Sequence, residues 1–407
     1  MKKKAINIKM FFLYICIYIL LFQNFLQNYI PIIQYYDELL SILAIPIAII
    51  YMVNKGDYKI KKYNIYIVVL YLTIVFCGFF SSFRYNLQPD IAVFSDFLLV
   101  SKFFLTYFLS EMLFDIKLIN HEKAQMSRSI KCTIIVFFIL SILNFALKIW
   151  PQKSYRFGIM SNQLFYSHPT YLAAAGVFLL ALLIITTEDY KKYAILIAFI
   201  LISTLRIKAI GSAFIILSII IFISKSNKKI TISKIGLLSV VIILLAWNQI
   251  SYYYIDLDGS ARKVLNETSI KIAMDYFPLG IGFATFGSHF SMVYYSSVYY
   301  LYGINNVWGL VEGQVSYASD VFWPMILGQF GFVGLIAYVL FIFVLYRKIQ
   351  DGYSKNEKNL YISKIICLTY LLISSTSESA FVNSIAIPLA LVIGINNYDY
   401  IDEKTEK

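Results

Sequence analysis

Runs of about 20 apolar residues, separated by short clusters of Lys and Arg, constrain this chain more than any other feature of its sequence. A run of that length forms a helix long enough to cross the hydrocarbon core of a bilayer. Apolar residues make up 59% of the chain and charged residues only 14%, whereas a soluble domain is about half apolar and about a quarter charged. The alternating pattern of membrane β-barrel strands does not occur. The sequence therefore predicts an all-α polytopic membrane protein.

The order of apolar runs and polar breaks predicts a single integral membrane domain, residues 1–407, built as a bundle of about 12 transmembrane helices. The predicted spans are 10–29, 36–53, 64–81, 93–113, 132–150, 169–187, 193–205, 209–224, 235–250, 321–346, 361–376 and 382–397. One large external loop, 251–320, is expected to contain short helices. Within it, residues 260–277 have helical periodicity, with Arg262 on the face opposite a ladder of alternating charges.

The distribution of basic residues predicts the orientation of these spans. If the N-terminus is inside, the cytoplasmic segments carry 25 of the 35 Lys and Arg residues and the external segments carry 8. The remaining Lys102 and Lys148 fall inside predicted spans. Because positive residues favour the cytoplasmic side, both termini are predicted to be cytoplasmic, with the protein in the cell membrane. Clusters of this kind face anionic lipid and are a poor pattern for a nucleic-acid surface.

Residues 193–224 test this arrangement, because Arg206 and Lys208 interrupt an otherwise apolar stretch. A single long span would also fit, but it would place the later Lys clusters outside. Two short spans keep the charge rule and predict a turn at Arg206–Lys208 that is recessed below the outer surface. Charged, irregular backbone at that depth occurs where it lines protein or a wet cavity.

Four basic residues stand out among those predicted outside: Arg156, Arg206, Lys208 and Arg262. An ion pair with an acidic side chain or a lipid phosphate would explain each of them. A bound phosphate-bearing substrate would explain them equally well, because guanidinium forks match phosphate oxygens. The sequence alone leaves both explanations open.

Three further side chains on that side could act as a general base: Asp320, His289 and His168. His168 could equally cap a helix, and Asp320, at the mouth of the 321–346 span, could equally be a helix N-cap. No metal or cofactor is predicted, because the four cysteines lack ligand-like spacing and the acidic pair Asp256 and Asp258 is too weak a pattern alone.

Several stretches of the second half resemble the Wzy-type polymerases of bacterial capsular and exopolysaccharide, which belong to the O-antigen polymerase and ligase superfamily. They are PLGIGFATFGS, YYSSVYYLYG, WGL and SDVFWPMILGQFGFVGL, in that order. TLRIKAIGSA at an outer turn and RFG…SHPTYLA before a span resemble the same family. The resemblance covers roughly 150–345, and the first five spans match in hydropathy only. Ligase-type members commonly carry a histidine near the position of Asp320.

The resemblance implies a metal-independent glycosyltransferase that polymerises undecaprenyl-diphosphate-linked oligosaccharide repeat units on the outer face of the membrane. The acceptor hydroxyl attacks the anomeric carbon and the lipid diphosphate departs. The residues implied to bind the diphosphate are Arg206, Arg262, Arg156 and Lys208. The candidates for the base, in order of preference, are Asp320, His289 and His168. The implied partners are the lipid-linked oligosaccharide, membrane lipids, a flippase and a chain-length regulator.

Two rival functions fit the same composition. A ligase-like glycan transferase would use the same donor with a different acceptor. A flippase of the lipid-linked unit should line a central cavity with charges from many spans, and here the intramembrane charge is expected to be nearly confined to Lys102 and Lys148. A membrane acyltransferase would need a catalytic histidine reached from the cytoplasm, for which His121 is a poor candidate.

Overall fold

The computed structural model describes residues 8–55, 62–150, 155–156, 158–226, 228–234, 236–237, 240, 247, 251 and 259–396. The α-helices are α1 (Ile8–Leu26), α2 (Tyr36–Lys55), α3 (Lys62–Tyr85), α4 (Asp90–Leu113), α5 (Ile116–Leu147), α6 (Pro169–Thr186), α7 (Lys191–Ser203), α8 (Ile207–Ser226), α9 (Ala261–Asp275), α10 (His289–Val293), α11 (Ser297–Leu301), α12 (Trp323–Asp351), α13 (Lys358–Ser374) and α14 (Ala386–Gly394). Short 3-10 helices cover Pro31–Tyr35 and Ala318–Asp320. Two short strands, β1 (Tyr155–Arg156) and β2 (Ile159–Met160), pair antiparallel.

Within the described ranges, eight helices are long and apolar enough to cross a membrane: α1 to α6, α8 and α12. The exposed face of α3 shows the apolar surface that such a helix presents to its surroundings. Its exposed large side chains, Val69, Leu72, Phe76, Phe80 and Phe83, recur three or four residues apart and form one apolar stripe along the helix. A soluble protein rarely exposes a continuous stripe of this size, whereas lipid solvates it. The chain is therefore an α-helical, multi-pass membrane protein.

The predicted count of about 12 spans is not confirmed by the described residues. Helices α7, α13 and α14 have 13, 17 and 9 residues, so each is shorter than the 18 residues of α6, the shortest of the eight helices counted above. These helices occupy the predicted spans 193–205, 361–376 and 382–397. The predicted span 235–250 lies almost wholly outside the described residues.

Helix α6 is the centre of the bundle, and almost all of its residues are buried. It packs against α5, α7, α13 and α14, while α12 packs against α3 and both α2 and α14 pack against α4. A helix that is apolar on all sides is suited to a position enclosed by other helices. The small residues of its first turns, Ala173 to Gly176, let neighbouring helices approach closely.

One end of the bundle gathers the connections that carry the candidate site residues, and we call it the site end. It is formed by segments 27–35, 86–89, 158–168, 204–206, 259–322 and 375–385. Hydrogen bonds join these connections to one another. Asn162 N–H donates to Ser203 O at 3.1 Å, and Ser379 N–H donates to Ser319 O at 2.9 Å. Residues that are distant in sequence are thereby held in one layer.

The helix boundaries correct two details of the predicted spans and confirm a third. The prediction that Lys148 lies inside a span is wrong, because α5 ends at Leu147 and Lys148 is an exposed residue with a φ of 51°. The predicted helix break at Arg206 is confirmed, since α7 ends at Ser203 and α8 begins at Ile207. The segment 116–131, expected as a loop, is instead the first part of α5.

The glycine-rich stretch 278–288 folds into the bundle as a buried loop, with residues 280–288 all buried. It meets α12 at Gly331, whose φ of 62° and ψ of −163° interrupt the helix. The interruption frees two carbonyl groups, and Ile281 N–H and Gly282 N–H donate to Gly328 O and Gln329 O at 3.1 and 2.8 Å. A Cβ on Gly280 would lie 2.5 Å from the backbone nitrogen of Gly331. These glycines are therefore explained by the close approach of two backbones.

Candidate functional site

Helix α9 positions Arg262 at the site end. Ser260 caps the helix by accepting a hydrogen bond from Lys263 N–H at 3.2 Å. The buried face contains Leu265 and Ile272, as the helical periodicity predicted, and it packs on α12. Arg262 sits in the first turn of this anchored helix and is half-buried. Its guanidinium donates to Asp320 Oδ2 at 2.9 Å.

Asp320 lies at the end of the 3-10 turn Ala318–Asp320, and α12 begins only at Trp323, after Phe322. The alternative explanation of Asp320 as a helix N-cap is therefore wrong. The turn is buried at Ala318, while the side chain of Asp320 is 37% exposed. The carboxylate can thus meet both its arginine partner and a ligand arriving from the solvent.

Lys208 lies in the first turn of α8, directly after the break at Arg206. Its Nζ lies 2.7 Å from Glu378 Oε2, and the two side chains are only 14% and 11% exposed. Glu378 belongs to the turns between α13 and α14. Its other oxygen, Oε1, is buried and has no hydrogen-bond partner among the described residues. A buried carboxylate oxygen without a hydrogen-bond donor is costly.

The segment 155–168 brings Arg156 and His168 to the same place. Arg156 is half-buried on the short hairpin of β1 and β2. His168 is the N-cap of α6, and its Nδ1 accepts from Thr170 N–H at 3.3 Å. The predicted capping role of His168 is therefore confirmed. Asn162 ties this segment to the end of α7, with its Nδ2 donating to Ser203 Oγ at 3.2 Å.

The electrostatics of His168 indicate how closely these basic side chains gather. Burial, followed by the positive charges of Arg206, Lys208 and Arg156 in that order, lowers the pKa of His168 to about 4. The ring is therefore neutral at pH 7. Because Nδ1 accepts from the backbone, the single proton of the neutral ring lies on Nε2. His168 thus presents a hydrogen-bond donor to a ligand.

Arg262 belongs to the same group of charges. Glu378, Asp320 and Arg262 all act electrostatically on Lys208. The turns that carry the two carboxylates are joined directly, because Ser379 N–H donates to Ser319 O and Ser379 Oγ donates to Val321 O at 3.2 Å. We call the four basic residues predicted from sequence the cationic cluster: Arg156, Arg206, Lys208 and Arg262.

A second polar group lies deeper at the same end. Lys102 Nζ lies 2.8 Å from Asp37 Oδ2 and also pairs with Glu38. Lys102 is about 18 Å along α4 from its first residue, yet it meets the first turn of α2. The site end is therefore recessed between these helices. His289, the third predicted base candidate, begins α10, which packs against α4 and against the Ala318–Asp320 turn.

His289 faces solvent with part of its surface, while neighbouring protein atoms bury part of the ring. That burial lowers the pKa of His289, and the charge of Lys102 adds to the effect. His289 therefore lies within the field of Lys102, on a helix that packs against the turn carrying Asp320. All seven predicted site residues thus lie at one end of the bundle.

The expectation that intramembrane charge is nearly confined to Lys102 and Lys148 is wrong. The bundle also buries Asp37, Asp96 and Glu111. Asp96 accepts from Ala284 N–H of the buried loop at 2.7 Å. Glu111 lies 2.7 Å from Lys348 Nζ near the opposite end. Each of these acids is held by a donor in the bundle, as burial of a charge requires.

Sequence reasoning missed Glu378 entirely. A signal was present, because Glu378 is the single charged residue in the stretch between Lys364 and the C-terminal tail. A lone ionisable residue in such an apolar region marks a functional-site candidate by default. The acidic pair Asp256 and Asp258 lies outside the described residues.

Comparison with models of known protein families and with curated protein sequences finds no match for this chain. The cationic cluster, the Nε2–H of His168 and two carboxylates from joined turns form a site suited to an anionic ligand that also carries hydroxyl groups.

Proposed function

We propose that this protein is a metal-independent glycosyltransferase that polymerises undecaprenyl-diphosphate-linked oligosaccharide repeat units into capsular polysaccharide or exopolysaccharide. The observation that carries the proposal is the cationic cluster. Its four residues come from three separate parts of the chain, the hairpin, the α7–α8 break and α9, and lie together at one end of the bundle. A phosphate-bearing ligand gives such a convergence a chemical reason.

In this proposal the cluster binds the diphosphate of the donor lipid. As the bond from the anomeric carbon to the phosphate oxygen breaks, negative charge grows on the departing diphosphate. Fixed guanidinium groups in a poorly solvated site stabilise that charge without needing to reorganise. Arg206 and Arg262 are the main diphosphate ligands, with Arg156 and Lys208 beside them, and His168 donates Nε2–H to the same anion.

Asp320 is the first candidate for the base that receives the proton of the acceptor hydroxyl. It is partly exposed, it adjoins Arg262, and its turn is braced by Ser379. His289 remains the second candidate, since α10 packs against that turn. His168, the third candidate, is disfavoured as a base because its Nδ1 is engaged by Thr170 and its low pKa leaves little affinity for a proton.

The charge distribution supports placing the site end outside. The opposite end carries most of the Lys clusters, including Lys225, Lys228 and Lys229, and basic residues favour the cytoplasmic side. The site end would then face the periplasmic or cell-surface side of the cytoplasmic membrane, where lipid-linked repeat units are polymerised.

A ligase-like transferase is the nearest alternative, because it would use the same donor site with another acceptor. A flippase is less favoured. The buried cations of the bundle pair with buried acids, as Lys102 does with Asp37 and Lys348 does with Glu111, so these charges are used within the fold.

The test is reconstitution of the purified protein in liposomes with a defined undecaprenyl-diphosphate-linked repeat unit as both donor and acceptor. A ladder of longer glycans supports a polymerase. Consumption of donor only when a different acceptor is added indicates a ligase, and transfer of intact lipid-linked units across the bilayer indicates a flippase.

Variants of the cluster sharpen that test. Arg206→Ala and Arg262→Ala should abolish the ladder while single repeat units accumulate, and Lys at either position should restore activity only in part because the bidentate fork is lost. Lys271→Ala is the matched control, since it removes a cation from the exposed face of α9. Full activity of either Arg→Ala variant would contradict the proposed mechanism.

A further inference from the structure

Arg262 has two prospective partners of the same chemical kind. Its guanidinium holds the carboxylate of Asp320 at 2.9 Å, and under the proposed function it must also hold a phosphate of the donor. Carboxylate and phosphate oxygens both accept from the same guanidinium N–H groups. One N–H group cannot donate a full hydrogen bond to the carboxylate and to the phosphate at the same time.

The exposure of the two ion pairs indicates which of them can exchange its anion. Lys208 and Glu378 are 14% and 11% exposed, whereas Arg262 and Asp320 are 24% and 37% exposed. Breaking an enclosed pair leaves a buried charge uncompensated, but a half-exposed carboxylate that loses its partner is rehydrated. The Arg262–Asp320 pair is therefore the one that a ligand can open.

We propose that Asp320 competes with the donor diphosphate for Arg262, so that donor binding displaces the carboxylate and releases it to act as the base. The inference rests on the proposed function. The acceptor O–H then attacks the anomeric carbon, its proton passes to Asp320, and the bond from the anomeric carbon to the phosphate oxygen breaks with its electron pair leaving on the diphosphate. The base becomes available only when a donor is bound. The acceptor hydroxyl is therefore not deprotonated at a site that holds no donor.

This competition predicts effects of opposite sign for one substitution. Asp320→Asn removes the competing charge, so farnesyl diphosphate, a short polyprenyl diphosphate, should bind about fivefold tighter, as expected for a partly exposed ion pair. The same variant should polymerise about a hundredfold more slowly, because the base is lost. A residue with a merely structural role would lower binding and turnover together.

The experiment measures binding of farnesyl diphosphate to purified protein in nanodiscs at fixed low salt, for wild type, Asp320→Asn, Arg262→Gln and the double variant. The tightening caused by Asp320→Asn should vanish when Arg262 is replaced. Glu267→Gln, which removes an exposed negative charge from the same helix α9, should leave binding unchanged. Asp320→Ser takes the place of Asp320→Asn if the latter does not yield folded protein.

Three results would overturn the inference: equal or weaker binding by Asp320→Asn, equal tightening by Glu267→Gln, or tightening that persists without Arg262. The proposed function fails separately. If Asp320→Asn binds the diphosphate more tightly but wild type makes no glycan ladder, the competition at Arg262 stands and polymerisation does not.

Discussion

The ion pair between Lys208 and Glu378 allows a quantitative test of the site that needs no substrate. The two side chains approach to 2.7 Å at 14% and 11% exposure. Removing one partner of a buried pair costs about 3–5 kcal/mol. Because Lys208 also lies within the field of Asp320, which partly replaces the lost charge, we expect Glu378→Gln to cost about 2–3 kcal/mol, below that range.

Lys208→Met should destabilise by a similar amount, since it leaves the Glu378 carboxylate buried without its cation. The double variant removes both charges and leaves none uncompensated. Its cost should therefore fall short of the sum of the two single variants by about 2 kcal/mol.

The measurement is the unfolding of purified protein in detergent, followed by circular dichroism across a denaturant series for the wild type, both singles and the double. Asp189→Asn is the control, because the Asp189 carboxylate is 57% exposed and its pairs with Lys192 and Lys131 should contribute little to stability. Additive single effects, or a loss for Glu378→Gln as small as that of Asp189→Asn, would refute the reasoning from burial.

Three further predictions follow from the geometry. His168→Asn keeps an N-capping side chain but removes the ring, whose pKa of about 4 in the folded state lies below about 6.5 in the unfolded state. The free energy of unfolding of the wild type should therefore fall by up to about 3 kcal/mol as the pH falls from 6.5 to 4, and that of the variant should not. Equal pH profiles in unfolding assays would contradict this. Gly282→Ala should destabilise by more than about 2 kcal/mol, because its Cβ would lie 2.3 Å from Ser82 Oγ, whereas Gly259→Ala meets nothing within 4 Å and isolates the cost of positive φ. Single cysteines placed at 228–231 should react with thiol reagents only from the cytoplasm, and at 303–306 only from outside; the reverse would invert the topology.

The sequence was sufficient to predict features that depend on local periodicity. The positions of α1 to α4 and of α6, with ends that differ by up to four residues, the break at Arg206, and the buried face of α9 all follow from hydrophobic spacing and charge. Four of the eight basic residues predicted outside were selected as the cationic cluster, with the family resemblance as a second reason, because basic residues are unfavourable on that side.

Features that depend on contacts between distant segments could not be predicted in this way. The glycines of 278–288 are required because the interrupted backbone of α12 at Gly331 approaches them closely. The acids Asp37 and Asp96 fall inside predicted apolar spans, and nothing in those spans indicates that one pairs with Lys102 and the other accepts from Ala284 N–H. Spacing along a helix gives the face of a residue, but not the partner that another helix brings to it.

The brace supplied by the 378–379 turn has a consequence for biosynthesis. A ribosome delivers this chain N-terminus first, so Arg156, Lys208 and Arg262 enter the membrane well before Glu378. Until that turn arrives, Lys208 lacks its carboxylate partner and the turn ending in Asp320 lacks the hydrogen bonds from Ser379. A nascent product ending before residue 375 would carry every cation of the cluster but would lack the Lys208–Glu378 pair and the Ser379 hydrogen bonds.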